Sequence, residues 1–151
     1  ETTLGYLNQL SCEDPMTGLS SHAHLRSRLS ELYRAEARPN TTHTLVVCEL
    51  PDDDADPSDE WGDHFTRAMR VTRMGESART IFARDETIGR LGTNRVGIIA
   101  PREERLGRRV RILRTLLAGI DSQRRTSRVW IEGLPGTDDA AAMLLDELAR
   151  R

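Results

Sequence analysis

The stretch from Thr87 to Ala100, TIGRLGTNRVGIIA, constrains the fold more than any other part of this 151-residue chain. Thr87–Leu91 and Arg95–Ala100 read as two short β-strands folded back on each other about Gly92-Thr93-Asn94. Gly and Asn tolerate positive φ and suit a tight reversal. Val96, Ile98 and Ile99 make the second strand apolar, and Pro101, which cannot donate to a ladder, is expected to end it.

The periodicity around the hairpin supplies the other elements. Ser20 or Ser21 is placed to cap a helix running to about Ala37, with Leu25, Leu29 and Leu32 on one face and Arg38-Pro39-Asn40 as its stop. Thr44–Leu50 is β-branched and apolar, a buried strand halted by Pro51. A helix is expected from Gly62 to Ala83, with Ala68, Val71, Gly75, Ala78 and Phe82 as its inner stripe. Glu103–Leu117 predicts another, with Leu106, Val110, Leu113 and Leu117 inside and Arg105, Arg108, Arg109 and Arg111 outside. Ser127–Leu134 reads as a strand in which Val129 and Ile131 alternate with polar neighbours. After a turn at Gly133–Gly136, Thr137 or Asp138 caps a closing helix, Ala140–Arg150.

Residues 1–12, with Leu4, Leu7 and Leu10 three apart, read as the end of a linker helix from an upstream module, leaving 13–151 as one domain. Within that domain the core order is βαββαβ. This is the ferredoxin-like arrangement of the α/β (α+β) class, a mainly antiparallel sheet with helices on one side.

Composition narrows the function classes. At 37% hydrophobic and 30% charged residues the chain is expected to be globular and soluble. No apolar run approaches the roughly 20 residues that span a bilayer. The net charge of -2 gives no global pull toward nucleic acid or anionic lipid. All 22 basic residues are arginine, so catalytic lysine chemistry is excluded. Cys12 and Cys48 are far apart, and Cys48 sits in the apolar strand as a small core residue, which fits a reducing, cytoplasmic compartment. The chain begins without an initiator Met or a secretory leader and is expected to be a fragment.

No metal site is expected from histidine or cysteine spacing. His22 and His24 point roughly 200° apart on a helix, and His43 and His64 lack neighbours at ligand spacing. The acidic run from Asp52 to Asp63 lacks the alternating ligands and central glycine of a calcium loop and reads as solvated. The arginine face of the Glu103–Leu117 helix, with Arg124, Arg125 and Arg128 nearby, carries no interleaved aromatic and reads as a solvated face or a protein or dimer contact, not a nucleic-acid platform. Trp61 and Trp130 read as packing residues.

Taken together, these segments resemble a GGDEF domain, the diguanylate cyclase module of bacterial signalling. Asp14-Pro15-Met16-Thr17-Gly18-Leu19 is similar to the family's DPLTGL turn, Thr44–Pro51 to the strand that ends in a metal-binding DxD, and Ile88–Val96 to the segment containing the signature. The resemblance implies a GGDEF/nucleotidyl-cyclase-like fold. It also implies condensation of two GTP molecules into cyclic di-GMP, with Mg²⁺ held by carboxylates. Residue by residue, that chemistry does not carry over. Gly92 keeps the first signature glycine, but Thr93, Asn94 and Arg95 stand at the second glycine and the two acids, with Val96 last. Glu49 keeps a carboxylate at the first metal-binding position, and Pro51 replaces the second. The family's inhibitory RxxD falls on Ala83 and Glu86, without the arginine, and no Asn stands in the segment expected to read guanine. Asp14 and Arg90 occupy positions that form a structural salt bridge in the family.

The resemblance with these losses implies a degenerate, non-catalytic domain without cofactor, acting as a regulatory or protein-interaction module beside an upstream sensor or protein partner, or as a homodimer. The alternative is a nucleotide receptor for GTP or cyclic di-GMP, with Glu49 and Arg95 in the old cleft. An active cyclase is the third reading.

Overall fold

A computed structural model of the chain describes residues 19–50, 60–82, 86–119 and 127–150, with side chains from 68 onward in the second of these segments. Several expectations fall outside them: the linker at 1–12, the turn at 14–18 with Asp14, the acidic run at 51–59, the Trp61 and His64 side chains, Arg84, Asp85, Arg124 and Arg125.

The first described helix, α1 (His22–Ala35), starts where its cap dictates, with the Ser21 hydroxyl accepting from the His24 amide at 3.1 Å. It buries Leu25 and Leu29 and ends at Glu36. A one-turn helix, α2 (Pro39–Thr42), follows. The sequence marks Pro39 only as a stop. Proline stops a helix by lacking an N–H and crowding the residue before it, while its fixed φ suits the first turn of the next. Then come β1 (His43–Glu49), α3 (Glu60–Ile81), β2 (Thr87–Arg90), β3 (Arg95–Pro101), α4 (Leu106–Ala118), β4 (Arg128–Glu132) and α5 (Asp138–Arg150). The Thr137 hydroxyl caps α5 by accepting from the Ala140 amide at 3.2 Å.

The four strands form one sheet in the order β2-β3-β1-β4, and every neighbouring pair is antiparallel. Strand alternation sends Val46, Cys48, Ile88, Val96, Ile98 and Val129 to one face, against α3 and α4. It sends Leu45, Val47 and Ile99 to the other, against α1 and α5. The βαββαβ core therefore does keep its two helices on one side, as read from the sequence. The sheet as a whole is nevertheless covered on both faces, because the leading and closing helices take the second one.

Two smaller expectations are corrected. Ile131 is 44% exposed although Val129, on the same face, is buried. Among the described strands β4 lies at the edge, with β1 as its one neighbour in the sheet, so its burial is incomplete. Arg109, read as part of a solvated face, is largely buried.

Candidate functional site

The end of β1 and the start of β3 meet by register, which sets Glu49 directly opposite Arg95. On the other side of β1 the same residue stands opposite Arg128, the first residue of β4. Arg95, Glu49 and Arg128 therefore form one row across three strands, on the face that carries Leu45 and Val47 toward α5. The Arg95 guanidinium donates from Nε to Glu49 Oε2 at 2.6 Å, and its Nη2 lies 2.5 Å from the same oxygen. Its Nη1 donates to the carbonyl of Leu148, near the end of α5, at 2.6 Å. Arg128 Nη1 lies 3.7 Å from the other oxygen, Glu49 Oε1. Both guanidinium groups stand over the Trp130 ring, 5.9 Å and 5.6 Å from its centroid. Arg95 and Glu49 are only 11% and 14% exposed, whereas Arg128 is 74% exposed.

The turn at 92–94 is fastened from several directions. Arg90 donates from Nε to the Gly92 carbonyl at 2.9 Å and from Nη2 to that of Thr93 at 3.5 Å. The Leu50 amide donates to the Asn94 carbonyl at 2.9 Å, and Asn94 Nδ2 returns a bond to the Leu50 carbonyl at 3.2 Å. At Gly92 a Cβ would sit 3.0 Å from the Ala149 carbonyl oxygen, so the missing side chain admits the backbone of α5. Thr93 is the exposed tip, and Val96 belongs to the core under α3 and α4.

Several solved structures share this architecture. The diguanylate cyclase SiaD of Pseudomonas aeruginosa, in complex with its activator SiaC, matches 97% of this chain at a TM-score of 0.67 and 19% identity. The coiled coil and GGDEF domain of DgcB from Caulobacter crescentus, in complex with c-di-GMP, matches 95% at 0.70 and 19%. The S helix-GGDEF-EAL portion of Vibrio cholerae LapD, bound to c-di-GMP, matches 97% at 0.69 and 15%. The chain has the GGDEF-domain fold. It spans 62% of the SiaD chain, 80% of the DgcB chain and 35% of the LapD chain. No family model matches the sequence, and no curated protein matches it.

Among the described residues of this GGDEF fold, those at the expected site are not arranged to hold Mg²⁺. The ion takes oxygen ligands and is usually held through carboxylates. One Glu49 oxygen is taken by Arg95 and the other faces Arg128. The Asn94 amide donates to Leu50. Among the described residues no group of three His, Cys, Asp or Glu is arranged to hold a metal. Where the expected site residues are described, the fold thus brings Glu49, Asn94 and Arg95 together, but pairs them with the protein itself. The Asp14 half of the expected Asp14–Arg90 pair lies outside the described residues.

A second ionic cluster went unread in the sequence. Arg109 on α4 donates from Nη2 to Glu86 Oε2 at 2.6 Å and from Nη1 to Glu103 Oε1 at 2.7 Å. Its guanidinium lies 4.2 Å from the Phe82 ring centroid. Arg109 follows the buried Leu106 by three residues and precedes the buried Val110, so its place at the margin of the apolar stripe was the available signal. The cluster floors an open groove of about 1210 Å³ between α3 and α4, whose lining includes Arg79, Arg105, Ile112 and Leu116.

Elsewhere, Cys48 is buried, and its thiol is pushed up to about 12 by that burial. The Tyr33 hydroxyl donates to the Pro135 carbonyl, and its pKa is raised by burial and then by the Asp138 carboxylate. No helix among the described residues is long and apolar enough to cross a membrane.

Proposed function

We propose that this GGDEF-fold chain is a catalytically inactive regulatory and protein-interaction module in cyclic di-GMP signalling. One observation carries the reading: the carboxylate at the metal-binding position, Glu49, is neutralised by the chain's own Arg95, with Arg128 beside it. Joining two triphosphates requires divalent cations to offset phosphate charge. A guanidinium fixed at 2.5 Å from the one retained carboxylate opposes such an ion by several kcal/mol where water is largely excluded. The resemblance of the fold to domains whose structures contain c-di-GMP or an activator protein supports the signalling context.

The test is incubation of the chain with GTP and Mg²⁺ or Mn²⁺, followed by chromatography for a dinucleotide product. None is expected, and its appearance overturns the reading. Three of the Arg95 donors are occupied by Glu49 and Leu148, which counts against the alternative in which Arg95 receives a nucleotide phosphate. Thermal shift with GTP and with cyclic di-GMP separates the two. A receptor saturated at about a hundred times its Kd gains about 2.7 kcal/mol of stability, and an interaction module gains none.

A further inference from the structure

The two helical layers present opposite surfaces. From Leu106 to Ala118, α4 carries Arg108, Arg109, Arg111 and Arg114 and no acidic residue, with Glu103 and Glu104 just before it. Arg105, just before the helix, and Ile112 and Leu116 line the groove, where Glu86 and Glu103 are held by Arg109; Arg108 is exposed on α4, and Ile112 and Leu116 are 44% and 40% exposed. On the other side of the sheet, α5 carries Asp138, Asp139, Asp146 and Glu147 against Arg150 alone. Its outward row is Asp139, Met143 and Glu147, one turn apart, and Met143 is 71% exposed, the most exposed large apolar side chain among the described residues. An apolar residue between two acids on one helix thus mirrors an apolar patch beside arginines on another. Their spacing at three and four residues lets two such rows pack side by side.

We propose that α5 of one copy docks on α4 of a second copy of this chain, with Met143 seated against Ile112 and Leu116 and one of its two flanking acids meeting Arg108, one turn before Ile112. The argument from charge is specific to a second copy, because the chain itself supplies both complementary surfaces. The docking is heterologous. The α4 surface lies on one side of the sheet and the α5 surface on the other, so a two-fold axis cannot satisfy both contacts in a single interface. Each added copy leaves a free α4 at one end and a free α5 at the other, and assembly continues beyond the dimer. With one apolar residue at its centre and a charged rim, the contact belongs to the small, transient class and weakens with salt.

Sedimentation velocity of the 151-residue chain from about 10 μM to about 1 mM tests this. The weight-average mass should climb from 17.0 kDa past twice that value without levelling, and should fall back on raising salt from roughly 0.05 M to 0.5 M. Ile112→Glu disables the α4 surface and Met143→Asp the α5 surface. Both positions are exposed, and far-ultraviolet circular dichroism with thermal melting verifies that the variants fold. Each variant alone should stay monomeric. Their equimolar mixture should associate and stop at a dimer, because one intact pair remains and the disabled pair sets two carboxylates against each other. A parent chain that stays monomeric throughout, a single variant that still assembles, or a mixture that fails to complement overturns the proposal. Neither substitution touches Glu49 or Arg95, so the outcome is separable from the turnover test.

Discussion

Arg95 sits where its loss is costly. Without its guanidinium the Glu49 carboxylate keeps, among the described residues, Arg128 alone as a cationic partner, 3.7 Å away and mostly in solvent. The Leu148 carbonyl loses a donor at the same time. Breaking a largely buried pair from one side costs about 3 kcal/mol, so Arg95→Ala is expected to lose about that much on urea titration. Glu49→Gln, which keeps the shape and leaves no buried anion, should lose less than half as much; equal losses would contradict the pairing. Cys48 gives a pH dependence. Its thiol moves from 9.0 to about 12 on folding. A raised value means the contribution is complete below about pH 9 and is lost as pH rises from there toward 12. Each unit is worth about 1.4 kcal/mol, so stability should fall by about 2 kcal/mol between about pH 9 and 10.5. Cys48→Ala should flatten that slope. Residue identities at the turn were legible in the sequence, including Asn94 and Arg95 where the resemblance leads one to expect acids. That Glu49 and Arg95 grip each other was not, because opposition across β1 and β3 depends on strand register, which no local pattern encodes.

At the scale of elements, the hairpin is a packing device. Gly92 admits the Ala149 backbone at 3.0 Å, and backbone yields less readily than a flexible side chain. Gly92→Ala should therefore lower stability by about 1–2 kcal/mol in a thermal melt. Were Gly92 bare only for a departed nucleotide, the same change would cost nothing or stabilise. Arg114 binds β4 from the helix side, with Nε and Nη2 both donating to the Val129 carbonyl at 3.2 Å and 2.8 Å. Arg114→Ala should cost about 1 kcal/mol on the same assay. Most elements were legible because their apolar spacing is strong: all four inner residues of α4 and the stripe from Ala68 to Phe82 are buried. The misses have physical causes. α2 is a single turn with no period to detect. Arg109 lies at the margin of a stripe, where Phe82 and two carboxylates from other segments decide its burial.

Across the whole molecule, two apolar layers share one thin sheet, and β1 and β3 serve both. Leu45 and Val47 belong to one layer, Val46 and Cys48 to the other, and β1 is hydrogen-bonded on both sides. No partial opening can free this strand while either layer stays closed. Its amides should therefore be the last to take up deuterium, exchanging only when the entire chain unravels, at a rate set by global stability. Any ligand, partner or substitution that alters the fold's overall free energy would be read out there, in the seven residues from His43 to Glu49.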